Sequence, residues 1–126
     1  MWRSKKYVGY FKSEGLKLAI GSSSKNAGFI LEKLGLSEYF HAVSDGNNIL
    51  HSKPDPEVFL KAAELLKIQP EKCLVVEDAV AGVYAACNAK MDCAGIKEAA
   101  QCGNVSYRLE KFSDLLDVIE EKKEGK

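Results

Sequence analysis

"CLVVEDAVAGV", residues 73–83, holds two structural patterns with two acids between them. Leu74, Val75 and Val76 form a short apolar run rich in β-branched residues, the mark of a buried strand. Glu77 and Asp78 follow at once. Residues 79–89 are mostly small, as in a helix packed tightly on its neighbours. A strand that ends on two adjacent carboxylates and turns into a helix recurs in outline along the chain. Residues 16–21 read as a strand, Ser22-Ser23-Ser24 as a loop, and residues 26–34 as a helix with Phe29, Ile30, Leu31 and Leu34 at helical spacing, stopping at Gly35. Ala42-Val43-Ser44 is a short strand and residues 45–48 are turn material. Pro54 and Pro56 forbid regular structure locally, and residues 57–67 form an amphipathic helix. Residues 92–96 read as a further strand, 104–107 as a candidate last one, and 112–121 as a closing helix with Phe112, Leu115, Leu116 and Ile119 on one face. A helix over 4–14, ended by Gly15, precedes all of these. Alternating strands and helices predict an α/β fold, a Rossmann-like, mostly parallel sheet with flanking helices. Residues 16–21 and 73–76 are expected to be neighbours in it, adjacent or one strand's width apart.

The 126 residues suffice for one domain with a core, and 46% apolar content excludes a disordered chain. Lys+Arg and Asp+Glu both number 18, so the basic surplus of a non-specific nucleic-acid binder is missing. The apolar runs are too short to span a bilayer. Met1-Trp2-Arg3-Ser4-Lys5-Lys6 does not open like a secretory signal, and a cytoplasmic protein is expected. Cys73, Cys87, Cys93 and Cys102 form no C-x-x-C pair and show no zinc spacing. Their apolar neighbours make them small core residues of a reducing compartment.

In parallel sheets, ligands bind at the carboxyl ends of the strands. Three chemically loaded loops lie there: Ser22-Ser23-Ser24-Lys25-Asn26, Ser52-Lys53-Pro54-Asp55-Pro56, and Glu77-Asp78. Each has a structural and a functional reading. Ser22 to Asn26 suits a helix N-cap, worth about 1 kcal/mol, and equally suits an anion bound by backbone N–H groups and hydroxyls. Lys53 reads either as a solvated loop residue or as a cation held by two prolines and aimed at a phosphate. Asp78 can cap the following helix, which leaves Glu77 unexplained. Adjacent carboxylates repel unless a cation sits beside them, and hard oxygen ligands suit Mg²⁺. His41 and His51 match no ligand or base motif and are assigned to the surface or to loop packing.

Taken together and in this order, "LAIGSSS", "SKPDPEVF" and "VVEDAVAGVYAA" resemble the second, third and fourth motifs of the haloacid dehalogenase (HAD) superfamily, from residue 15 to about residue 97. "SSSKN", "LEKLGLSEYF" and "DGNNILHSKPDPEVFLKAA" resemble most its β-phosphoglucomutase subfamily, with sugar-phosphate phosphatases as the runner-up. The resemblance implies phosphoryl transfer on a small phosphorylated sugar. Ser22 and Lys53 would be catalytic, Ser22 bonding the transferring phosphoryl group with help from the backbone N–H of Ser23, and Lys53 pairing with that group. Ser23, Ser24, Lys25 and Asn26 would bind substrate phosphate. Glu77 and Asp78 would hold Mg²⁺, Asp78 as the direct ligand.

The family's first motif, Asp-x-Asp, supplies the nucleophile and the general acid/base, and no Asp-x-Asp occurs in this sequence. Asp55-Pro56-Glu57 belongs to the lysine loop, Asp45 to a turn, and Asp114 and Asp117 to the closing helix. The resemblance also implies a helical cap and a central nucleophile strand that these residues do not match. The expectation is therefore a single HAD-like core domain over residues 1–126 without those two parts, inactive by itself. The alternative is a non-catalytic remnant or one half of a split protein that binds phosphate or a partner chain. No nucleic-acid or membrane partner is expected. Self-association or complementation through exposed sheet edges is.

Overall fold

The computed structural model describes residues 16–21, 33, 40–44, 46, 47 and 49–123. Strand β1 (Ala19–Gly21) pairs in parallel with β2 (Ala42–Ser44), in the register Ala19 to Ala42 and Gly21 to Ser44. Helix α1 (Glu57–Leu66) follows, then β3 (Leu74–Glu77), α2 (Val80–Asn88), β4 (Asp92–Ile96), β5 (Tyr107–Leu109) and α3 (Leu115–Lys123). Strands β3, β4 and β5 form a second parallel sheet in that order. The α/β reading and the parallel pairing hold. The helices expected over 4–14 and 26–34 lie outside the described residues, apart from Lys33, which is helical. No helix among the described residues is long and apolar enough to cross a membrane.

Local chemistry explains the elements. Helix α1 begins directly after Pro56 and turns Val58, Phe59, Ala62 and Ala63 inward. It stops at Lys67, whose left-handed backbone (φ 61°, ψ 41°) lets its N–H return to the carbonyls of Ala63 and Glu64. Helix α2 buries Gly82, Val83, Ala85 and Ala86, small residues that bring it close to the sheet. Cys93, Ala94 and Gly95 of β4 are all buried, the pattern of a strand covered on both faces. One core lies on the α1–α2 side, built on Val58, Phe59, Val75, Val83 and Cys93. A second lies on the α3 side, built on Ala94, Leu109, Leu115 and Val118. Each of the four cysteines belongs to the first core or packs against it.

Three expectations need correction. The last strand is 107–109, not 104–107, because Ser106 fixes the register: its N–H donates to the Cys93 carbonyl at 2.8 Å and its hydroxyl accepts the Cys93 N–H at 3.1 Å. The closing segment starts with a tight turn over Phe112–Asp114 rather than an α-helix. There the Asp114 carboxylate accepts the N–H groups of Glu110 and Lys111. Among the described residues, no ladder joins β1 to β3, and their strands fall into two hydrogen-bonded sheets rather than one. What joins the two is side-chain packing. Val58 and Phe59 of α1, which lies against β1 and β2, share a core with Val75 of β3. Leu16 and Leu18, just ahead of β1, pack with Leu74 against the α3-side core.

Candidate active site

Glu77 ends β3 and is only 8% exposed. A buried carboxylate needs partners, and it has three. Its Oε1 accepts the backbone N–H of Asp78 at 3.1 Å and of Ala79 at 3.2 Å. Its Oε2 accepts from Lys53 Nζ at 2.9 Å. The reading of Asp78 as the cap of the following helix is thereby corrected. Helix α2 has Ala79 as its N-cap, with no side-chain cap bond. Glu77, not Asp78, serves the N–H groups at its start. The Asp78 carboxylate is exposed and has no partner among the described residues.

Room for Glu77 comes from Gly82. A Cβ at that position would overlap Cγ, Cδ and Oε2 of the glutamate. Glycine in a helix interior costs stability relative to alanine, and that local misfit was the signal in the sequence that went unread.

Lys53 reaches Glu77 from a loop held at several points. Asn88 Nδ2 donates to the Pro54 carbonyl at 3.2 Å. The Glu57 carboxylate accepts the N–H groups of Leu50 and His51, both at 2.8 Å, and its own N–H donates to Asp55 Oδ1 at 2.9 Å. The N–H of Leu50 above all holds the Glu57 carboxyl below the usual range, against the opposing effect of desolvation. Rigidity of this loop thus comes from Glu57 and Asn88 as well as from the prolines. His51 Nδ1 lies 3.1 Å from Glu57 Oε1. His51, Asp55 and Glu57 form a cluster that sequence reasoning missed. His41 is exposed and accepts the Leu18 N–H through Nδ1.

Phe59 lies under the lysine, its ring centre 5.0 Å from Lys53 Nζ, within cation–π range. The same ring presses on the end of β1. A Cβ on Gly21 would stand 2.8 Å from Phe59 Cδ1, so only glycine fits there. The residue immediately before Ser22 and the ammonium group of Lys53 therefore touch one aromatic side chain. Ser22, Ser23, Ser24, Lys25 and Asn26 themselves lie outside the described residues. Beside Gly21 in the ladder, Ser44 is fully buried and its hydroxyl has no partner among the described residues.

Lys53 and the buried Glu77 therefore pair at the carboxyl end of β3, and the exposed Asp78 follows next in sequence. Cys93 does not join them as a nucleophile, since burial first, and then the Glu77 charge, push its thiol up to about 12. Asp78 suits a hard cation. Glu77 is committed to Lys53 and two amides, so one carboxylate remains for direct coordination among the described residues of this loop. Mg²⁺ takes about six oxygen ligands and retains several waters readily.

A family model for haloacid dehalogenase-like hydrolases matches residues 1–90, and the chain belongs to that family. Within it the chain groups with the β-phosphoglucomutase-like branch. It is 36% identical over 111 residues to the β-phosphoglucomutase of Bacillus subtilis, covering 87% of this chain and 49% of that protein. It is 39% identical over 82 residues to a fructose-1-phosphate phosphatase of Escherichia coli, covering 65% of this chain and 44% of that one. The crystal structure of a β-phosphoglucomutase from Clostridium difficile superimposes with a TM-score of 0.82 at 29% identity, covering 94% of this chain and 55% of the other. The chain thus spans about half the length of the relatives it matches.

Proposed function

We propose that this chain carries the phosphate-clamp and cation-binding part of a phosphoryl-transfer site for a small phosphorylated sugar, in the manner of a β-phosphoglucomutase or a sugar-phosphate phosphatase. The observation that carries the reading is the part-buried Lys53–Glu77 pair, followed in sequence by Asp78, whose exposed carboxylate has no partner among the described residues. Lys53 would hold the transferring phosphoryl group by charge, its direction fixed by Glu77 and its height by the Phe59 ring. Ser22 would add a hydroxyl and Ser23 a backbone N–H, while Ser24, Lys25 and Asn26 would take a second phosphate. Asp78 would ligate Mg²⁺ directly and Glu77 from behind a water, and the ion would supply neutralisation of phosphate charge. No Asp-x-Asp exists in the 126 residues, so the chain has a clamp without the family's covalent nucleophile.

The reading is tested on the purified chain with Mg²⁺. Binding of inorganic phosphate, followed by ³¹P NMR, is expected to weaken at least about tenfold in Lys53→Ala. Phosphate release and mutase turnover on a glucose phosphate and on fructose 1-phosphate are expected to stay at the buffer rate. Phosphate binding indifferent to Lys53→Ala would remove the clamp. Robust turnover that disappears in Lys53→Ala would place a nucleophile within this chain.

A further inference from the structure

Three of the four cysteines converge on the side of the sheet that α2 covers. Cys93 stands within β4, and Cys87 lies in the last turn of α2. Cys102 opens the turn that leads back toward β5, closed by the Val105 N–H, which donates to the Cys102 carbonyl at 3.4 Å. All three residues belong to one apolar cluster with Val83 and Ala99. The Cys87 thiol donates to the carbonyl of Asn104 at 3.5 Å, so it touches the third residue of the turn that Cys102 begins. The ends of such a turn lie within about 7 Å of each other. This turn is pinned at its base and open at its tip. Arg108 Nη2 donates to the Cys102 carbonyl at 3.4 Å, and the Ser106 N–H to the Cys93 carbonyl at 2.8 Å. Gly103 and Asn104 are exposed, and nothing lies within 4 Å of a Cβ built on Gly103.

The thiols are not equivalent. Cys93 is 1% exposed and burial keeps it protonated, so it offers neither access nor a thiolate. Cys73 precedes β3, with its thiol on the Gln69 carbonyl at 3.5 Å. Cys87 and Cys102 are half-buried, within reach of a small oxidant. We propose that Cys87 and Cys102 are an oxidisable thiol pair, closed to a disulfide by a small hydroperoxide. One thiolate attacks the peroxide, the O–O bond breaks, and a sulfenic acid forms with release of water or an alcohol. The second sulfur attacks the sulfenic sulfur. The S–S bond forms, the S–O bond breaks, and hydroxide leaves as water with the thiol proton. The two sulfurs lose two electrons and the peroxide gains two. The exposed Gly103–Asn104 tip supplies the movement that closure needs, and the Cys87–Asn104 hydrogen bond is given up. The bridge staples the end of α2 to the turn after β4. Both elements frame the candidate site, since α2 seats Glu77 at Gly82 and the Ala99 N–H donates to the Asp78 carbonyl at 3.2 Å. The pairing itself requires no phosphoryl-transfer activity.

The reduced whole chain, 1–126, is treated with hydrogen peroxide at mildly alkaline pH and digested after Lys, Arg and Glu, which leaves each cysteine on its own peptide. Mass spectrometry should find the Cys87 and Cys102 peptides joined, at least about tenfold above any other pairing. Dithiothreitol should separate them. In urea the preference should vanish, because the fold and not the sequence brings the two thiols together. Cys93→Ala should form the bridge as the parent does. Cys87→Ser and Cys102→Ser, each with the parent's far-UV spectrum, should not. The proposal is overturned if the native chain keeps all four thiols, or if the main bridge includes Cys73 or Cys93. A bridge between two chains, seen as a dimer on a non-reducing gel, or an equal preference in urea, would overturn it as well.

Discussion

Gly82→Ala separates local from tertiary reasoning, because the two give opposite signs. Gly82 is the third residue of α2, inside the helix. By helix propensity alone, alanine there gains about 1 kcal/mol over glycine. The space beside Gly82, however, is where the Glu77 carboxylate lies, and an added Cβ would overlap Cγ, Cδ and Oε2. Backbone hems the carboxylate in through the N–H groups of Asp78 and Ala79, and Lys53 closes the remaining side. Overpacking of this kind costs about 1–3 kcal/mol. Each hydrogen bond to a charged group that is lost as the carboxylate withdraws adds about 1.5–3 kcal/mol. With one bond lost and the propensity gain deducted, the variant should be less stable by roughly 1.5–5 kcal/mol. Urea titration followed by circular dichroism reads this as a lower midpoint at unchanged slope. Gly103→Ala is the matched control, since nothing lies within 4 Å of the Cβ it adds. Its midpoint should barely move. A Gly82→Ala protein as stable as the parent would refute the assignment of Gly82 as the seat of Glu77.

Cys93, pushed up to about 12 mainly by burial, should resist iodoacetamide at pH 8 in the folded protein and react once urea unfolds it. Mass spectrometry of the alkylated peptides checks this, and prompt labelling of Cys93 in the native state would contradict its burial. Glu57 has its carboxyl lowered, chiefly by the Leu50 N–H, so its contribution to stability is present above the ordinary carboxyl pKa and is lost as the pH falls through the folded value. Amide exchange at Leu50 and His51 should therefore accelerate, beyond intrinsic rates, below about pH 4. In Glu57→Gln these amides should exchange faster at neutral pH with no such acid step, and identical profiles in the two proteins would show that Glu57 does not hold the loop.

The sequence by itself determined the alternation of elements. The strands at 42–44 and 92–96 and the helix from Glu57 fall where they were read, because strand and helix periodicity is a property of neighbouring residues. It also singled out Lys53, Glu77 and Asp78, since a lysine between a loop and a proline, and two acids at a strand end, are local anomalies. Their division of labour was not legible. Lys53 stands 24 positions from Glu77, and only folding shows that it engages Glu77 and leaves Asp78 free. Phe59 reads as an ordinary core residue of an amphipathic helix until its ring is found against both Lys53 and Gly21. The register of β5 depends on a serine bonded to a strand 13 residues away. The split of the sheet was hidden for the same reason. Strand propensity is written in a few consecutive side chains, whereas the partner of a strand's free edge is a backbone elsewhere, and pairing energy appears only when both edges are in place.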